Sequence, residues 1–489
     1  MSNEPEGVLK AKLNDLECHF TWGFQEKEFS LDKMKLKLET LPEDFVQYKA
    51  MPYNQLAFVN HLQGDYREAL RNLEKAEKIL REDHPSEFGR SIVTYGNYAW
   101  VYYHRGQLTD AQTYLDKLED IWSNQFPSRD AAQIPEVCGE KGWSLLNYSI
   151  GYYGEAEECF IQALEGDPLD TEWNLGLATV LWRKEAVSGV VGSCENSESV
   201  AQLRRVLLLD GNRAMAMMLL ALRLQEFDQR EEASALVENA LRVSSDGSLA
   251  IRYAAKFYRK EDDVDKAIAL LGRAMESAPH SSFLHHQMGL CYRSKFLTLD
   301  KDPVSNIPHA PVFQEKTECI QKSKFHFGKA FEQNPFFTIA KLDFANICVR
   351  NREYLEAEQI FTDLLRLESS HDANKQAVYL QYGLFQQNQK KSDSNAASLF
   401  LEGLKISKDT RSGKMCRVNL QRIAEKHDNN NSSDSKVFYF VGLMYQLDGE
   451  TPKAIECLEK ATKFDQHNEE YNNALIELCL SMQENNVLT

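Results

Sequence analysis

"AKFYRKEDDVDKAIALLGRAMESAP", residues 255–279, sets Ala255, Ala267 and Ala274 at intervals of 12 and then 7, with Pro279 five positions further on. The same two intervals separate Ala57, Ala69 and Ala76, and again Gly442, Ala454 and Ala461. Ala99, Ala111 and Leu118 keep the spacing, as do Ala345, Ala357 and Leu364, each with a larger last residue. Ala156, Ala163 and Pro168 supply the back half of another unit. Small residues are needed where two helices cross closely, because a larger side chain forces the axes apart. Proline then stops the second helix before the next unit begins. Chance periodicity in a helix-rich chain would drift instead of returning to the same offsets.

This is the tetratricopeptide pattern, in which about 34 residues form two antiparallel helices. It predicts an all-α fold, a tetratricopeptide-repeat superhelix (α-solenoid) enclosing a basic central groove or tunnel. Between Gly289 and Ala330 the two marker positions are 41 apart instead of 19, so that unit carries 22 extra residues, among them Pro303, Pro308 and Pro311. We read an inserted surface loop over 294–320, with longer flanking helices. The stretches "VSGVVGSCENSES" (187–199) and "KHDNNNSSDSK" (426–436) have the composition of joints between sub-arrays. The resulting division is an N-terminal helical segment (1–48), an N-terminal sub-array (49–245), a central sub-array with the basic groove (246–425) and a C-terminal repeat (426–489).

Composition narrows the class. The 489 residues are 43% hydrophobic and include six tryptophans, which excludes global disorder. No apolar run reaches the roughly 18 residues a membrane span needs. The N-terminus has acidic residues where a signal peptide needs a basic start and an apolar core. A soluble, cytoplasmic protein is the expectation. Ten scattered cysteines, none in a CxxC pair, read as buried thiols in a reducing compartment, with neither disulfides nor a zinc site. The sequons at Asn147 and Asn430 are then coincidental. A formal net charge of −17 argues against indiscriminate coating of nucleic acid, DNA included, but leaves room for a local basic cavity.

Such a cavity has a candidate wall. In "IRYAAKFYRK" (251–260), Arg252, Lys256 and Arg259 fall on one helix stripe. In a tetratricopeptide superhelix the first helix of each repeat lines the concave surface, and the inward positions here are Leu249, Arg252, Lys256 and Arg259. The following unit gives Phe283, His286, Leu290 and Arg293, and the unit of Ala99 gives Val93, Gly96, Trp100 and Tyr103. The competing reading is a solvated cationic face paired with neighbouring acids, and for Phe257 and Tyr258 ordinary inter-helix packing. Guanidinium groups grip phosphate through paired donors. Ring faces stack bases without choosing among them. Together they suit a single-stranded nucleic acid.

The stretches "LECHFTW" (16–22), "YGNYAWVYYH" (95–104), "EKGWSLL" (140–146), "IRYAAKFYRK" (251–260) and "SSFLHHQMGLCYR" (281–293) are long, specific and in family order. On these the chain resembles the interferon-induced proteins with tetratricopeptide repeats, nearly end to end. The resemblance implies an interferon-induced antiviral effector of innate immunity. RNA-binding members capture single-stranded viral RNA by its 5′ end inside a basic tunnel. Some prefer a 5′-triphosphate, others a cap without ribose 2′-O methylation. Carried over residue by residue, the 5′-phosphate pocket falls on Tyr153, Arg183, Arg252, Tyr253 and Gln287. Lys256, Phe283 and His286 match tunnel positions, and Trp143 matches the ring that stacks on a cap base. The other reading of Trp143 is a packed inter-helix indole.

Three departures qualify the match. Asn147 stands where members carry a lysine, which removes a phosphate contact. Lys33 and Leu41 replace the acidic residue and glutamine that hold a metal, so no metal or other cofactor is expected. Lys37 falls where some members carry a phosphate-contacting arginine. Weak basicity in "LQRIAEKHDNNN" implies less nonspecific RNA affinity. The alternatives are cap-0 mRNA binding with inhibition of translation, and a protein-interaction scaffold with little RNA binding. Related family members and other proteins are further expected partners. Without a GxxxxGK[ST] loop, HExxH, GxSxG or paired-carboxylate motif, no enzyme is expected.

Overall fold

The structure is a computed structural model that describes residues 4–24, 30–41, 48–126, 133–188, 192–244, 248–301, 307, 310–367, 372–429 and 433–487. Among the described residues there are 24 α-helices and no β-strand. Most are paired as the spacing predicts: Met51–Leu62 with Tyr66–Asp83, Ser91–His104 with Leu108–Gln125, Ser248–Lys260 with Val264–Ser277, and Ser435–Leu447 with Thr451–Phe464. The marker alanines Ala57, Ala69, Ala76, Ala99, Ala111, Ala267 and Ala345 are 0% exposed, as a close crossing requires. Gly289 follows the same rule: a Cβ there would lie 2.6 Å from the Phe327 ring on the opposing helix. The fold is therefore an all-α tetratricopeptide array.

In several units the turn between the paired helices uses one residue in the left-handed region, seven positions after the small residue. It is Gly64 (φ 79°), Gly106 (φ 73°) or Gly449 (φ 77°) in three units, but Asp262 (φ 60°) and Arg352 (φ 63°) in two others. An aspartate often closes the turn as N-cap of the second helix: Asp65 accepts from the Glu68 amide at 3.0 Å, and Asp263 from the Lys266 amide at 3.2 Å.

Chain contacts divide the molecule into two compact units, Met1–Ala186 with Val190–Gln287, and Val187–Gly189 with Met288–Thr489. The division falls inside the Ser282–Leu299 helix. Helices on either side of residues 245/246 are in contact: Gln225 donates to the Phe257 carbonyl at 3.1 Å and to Glu261 at 2.6 Å. The extra residues after Gly289 mainly lengthen two helices, Ser282–Leu299 and Pro311–Gln333. Residues 302–306 and 308–309 of the expected loop lie outside the described residues, as do 189–191 and 430–432 of the two joints.

In the first unit the N-terminal segment covers part of what the repeat pattern turns inward. Trp100 donates from Nε1 to the Leu13 carbonyl at 3.1 Å, and the Phe20 ring stacks on Trp100 at 5.8 Å between centroids. A Cβ on Gly96 would come within 2.9 Å of the Cys18 Cβ. His19 is 1% exposed and hydrogen-bonds Asn97 and Ser144, and burial holds its imidazole down at about 3. Val93, Gly96 and Trp100 thus face the chain's own "LECHFTW" stretch and not an open groove.

Candidate functional site

The Pro135–Tyr148 helix ends on an unusual pair of caps. Lys37, from the Leu31–Glu39 helix, donates to the Asn147 carbonyl at 2.5 Å, and Arg183, from the Thr171–Ser188 helix, donates to the Leu146 carbonyl at 2.9 Å. Cations suit the negative end of a helix dipole. Two of them, with Lys33 nearby, exceed what a few carbonyls balance. Burial, and then the charges of Arg183 and Lys33, bring the Lys37 ammonium down to about 7. Burial also lowers Lys33. Asn147 itself is 3% exposed, and its side-chain Nδ2 and Oδ1 have no hydrogen-bond partner among the described residues. Tyr153 sits at the start of the next helix, its ring 6.0 Å from the Arg183 guanidinium.

A second group lies on the Ser248–Lys260 helix. The Arg252 guanidinium is 5.0 Å from the centroids of both Tyr253 and Phe283, a planar cation between rings. Lys256 points its ammonium at the Trp182 ring, 5.4 Å away. Burial, then the charges of Lys260, Arg259 and Arg252, lower it to about 8, with Glu226 opposing. Trp182 and Arg183 are consecutive, so one helix carries the contacts to both cation groups. No carboxylate lies within 4.0 Å of Lys33, Lys37, Arg183, Arg252 or Lys256 among the described residues. Some neighbouring cations of this unit are matched: Arg213 with Glu172 at 2.5 Å, Lys260 with Glu226 at 3.3 Å, and Lys184 with Glu157.

The remaining sequence candidates divide. His286 is 7% exposed on the Ser282–Leu299 helix, and the neighbouring Gln287 has a buried Oε1 without a hydrogen-bond partner. Arg259 is half-buried toward the end of its helix. Two readings need correction. Arg293 does not offer its charge to a groove, because it is ion-paired with Asp343 in the second unit. Trp143 is 3% exposed and packs edge-on to Phe160 at 5.4 Å, so the packed-indole alternative describes this conformation and no ring face is open to a cap base. Trp182 and Asn147 are site features the sequence reading did not select. The tryptophan's placement beside Arg183 in "LWRK" was the available signal. A cavity of about 190 Å³ borders Tyr253, with Leu175, Asn212, Arg213 and Leu249 among its walls.

For a metal, the group of donors close enough together among the described residues is Cys348, Glu353 and Glu356. The Lys324 ammonium already lies 2.7 Å from Glu353 and 2.9 Å from Glu356, where a bound cation would compete with it. No helix among the described residues is long and apolar enough to cross a membrane.

Comparison with known proteins bears on the fold and the family. Residues 48–124 match the family described as Tetratricopeptide repeat. The chain is 34% identical to "Antiviral innate immune response effector IFIT1" of Homo sapiens over 94% of this chain and 97% of that one. It is 33% identical to "Interferon-induced protein with tetratricopeptide repeats 2" of Homo sapiens over 94% and 96%. Among solved structures, "Human IFIT1 dimer with m7Gppp-AAAA" matches with a TM-score of 0.74 and 33% identity, covering 93% of this chain and 99% of that one. "Human IFIT1 dimer with PPP-AAAA" matches with a TM-score of 0.72 and 32% identity over the same shares. With a repeat array, a cation cluster and this degree of identity along nearly its whole length, the chain belongs to the family of interferon-induced proteins with tetratricopeptide repeats.

Proposed function

We propose that this protein is an antiviral effector that captures the 5′ end of single-stranded RNA and denies it to translation or replication. The observation that carries the reading is the convergence of Lys33, Lys37 and Arg183 with no carboxylate among them. Like charges brought together in a partly buried site raise the free energy of the empty fold, and a polyanion relieves that cost. A 5′-triphosphate brings the needed charge in a compact form. Arg183 and Lys37 take phosphate oxygens, and the Asn147 amide supplies a neutral donor. Arg252, held between Tyr253 and Phe283, grips the chain further along, with Lys256, Arg259, His286 and Gln287 continuing the contact. The likeness to human IFIT1, solved with PPP-AAAA and with m7Gppp-AAAA, supports this ligand class.

The activity is binding, without chemistry on the RNA. It operates in the cytoplasm, and copies of this chain or of its relatives are further partners, as the human IFIT1 dimers suggest. Arg252→Glu is the test. It is expected to lower affinity for a 5′-triphosphate oligonucleotide by roughly a hundredfold with helicity intact; unchanged affinity in a gel-shift assay would refute the reading. Running triphosphate, cap-0 and 2′-O-methylated cap forms of one oligonucleotide in parallel separates the preferred 5′ chemistry. A cap preference requires the Trp143 region to open, and Trp143→Ala then weakens only the capped forms.

A further inference from the structure

One carboxylate stands close to the cation groups without pairing with them, and a second shares a helix with one of them. Glu185 follows Arg183 by two residues on the same helix, and Glu226 is near enough to Lys256 to oppose the lowering of its ammonium. Both are engaged by one side chain. Arg223, on the Ala214–Glu226 helix, has only 5% of its side chain exposed, with Nη2 at 2.6 Å from Glu185 and Nη1 at 2.6 Å from Glu226.

We propose that Arg223 is a positioning residue for the RNA site, holding Glu226 off Lys256 and, through Glu185, fixing the Arg183 helix against the Lys256 helix. The inference rests on the RNA-binding reading above. The clamp extends on both sides. Glu185 also accepts from Ser197 Oγ at 2.9 Å, and from the Ser199 amide and hydroxyl at 3.0 and 2.6 Å, which anchors the end of the Thr171–Ser188 helix to the next one. Glu226 continues to Lys260 at 3.3 Å, one turn beyond Lys256 on the Ser248–Lys260 helix. Arg223 therefore links, through two carboxylates, the helix that bears Trp182 and Arg183 to the one that bears Arg252 and Lys256. A guanidinium suits the task because its donors fork toward two acceptors at once.

Removing that charge frees Glu226 from its guanidinium, and Lys256, one turn before its other partner Lys260, comes within reach. Self-pairing then neutralises the site from inside, although Arg223 itself never touches RNA. The experiment compares Arg223→Gln, the double variant Arg223→Gln/Glu226→Gln and Arg252→Glu in the full chain. The probe is one 5′-triphosphate A-rich oligonucleotide, titrated across a salt series. Arg223→Gln is expected to lower affinity about tenfold and to flatten the salt dependence, because fewer cations remain to release counterions. Adding Glu226→Gln should recover most of both, which a purely structural loss would not allow. Unchanged affinity in Arg223→Gln, or a loss that Glu226→Gln leaves uncorrected, overturns the proposal.

If Arg223→Gln does not fold, Arg223→Lys carries the same test. It keeps the charge but not the paired donors. A loss of about threefold, reversed by Glu226→Gln, supports the clamp, and no loss overturns it. Failure of Arg252→Glu to weaken binding removes the RNA reading itself. A sensitive Arg252 beside an insensitive Arg223 removes only this inference.

Discussion

Arg252 and Arg293 both lie on first helices of their repeats, on the stripe the repeat pattern turns inward, yet their surroundings are opposite. Arg252, in the first unit, rests between Tyr253 and Phe283 with no carboxylate partner among the described residues. Arg293, in the second, is ion-paired with Asp343, fifty residues further along the chain. Several other cations of the second unit are paired like Arg293: Lys324 bridges Glu353 and Glu356, Lys390 meets Glu358 at 2.7 Å, and Arg417 meets Asp448 at 3.0 Å. The first unit pairs some of its cations and leaves unpaired, among others, a group around Lys37, Arg183 and Lys256. Repeat position therefore fixes which way a side chain points, and the acids presented by neighbouring helices decide whether its charge is available. An anion site arises where those acids are missing or, as at Arg223, engaged elsewhere.

The comparison breaks most visibly in binding. Arg252→Glu and Arg293→Glu, assayed on one triphosphate RNA, should differ by roughly two orders of magnitude, with the second within about twofold of the parent. Equal losses would erase the distinction. Stability should show the reverse order. Arg293→Ala leaves Asp343, only 13% exposed in its side chain, without its partner, at a cost of about 1–3 kcal/mol in denaturant unfolding. Arg252→Ala should cost less, because no acid is stranded.

Acidity gives a third contrast. With the Lys37 ammonium near 7 in the empty fold, an anion that requires the charged form draws a proton onto it above pH 7. Affinity should then fall as pH rises from 7 to 9, by up to about tenfold per unit, with Lys256 adding to the fall above about 8. The empty fold moves the other way. The strain of charged Lys37 is fully present below 7 and is released as pH climbs toward its unfolded value of about 10.4. Calorimetry in buffers of different ionisation heat measures the proton uptake, and Lys37→Met should abolish the Lys37 part.

Smaller effects sharpen the picture. Asn147→Lys adds a cation where the carboxamide lacks a partner, and should raise RNA affinity several-fold while steepening the log–log salt slope by about 0.7. Arg352→Gly, at a turn with φ 63°, should stabilise the second unit by up to about 1 kcal/mol and leave RNA binding untouched.

Much of the array was legible because a close helix crossing tolerates only a small residue and recurs at a constant interval. One unit went unread although its signal is as clear as the others. Ala221, Ala233 and Ala240 keep the intervals of 12 and 7, and all three are 0% exposed. The ring pair around Arg252 was legible too, since Tyr253 is adjacent to it and Phe283 is one repeat further on. The cover laid over Gly96 and Trp100 was not, because nothing in residues 13–24 states which helices they pack against.

The sequence by itself determined the helix pairs, their crossings, their turns and the stripe on which Arg252 and Lys256 stand, since each depends on residues near in the chain. Only the tertiary structure decided which cations remain available. Electrostatic pairing is a matter of a few ångströms, and Asp343 and Glu185 reach Arg293 and Arg223 from helices whose separation in sequence carries no information about that distance.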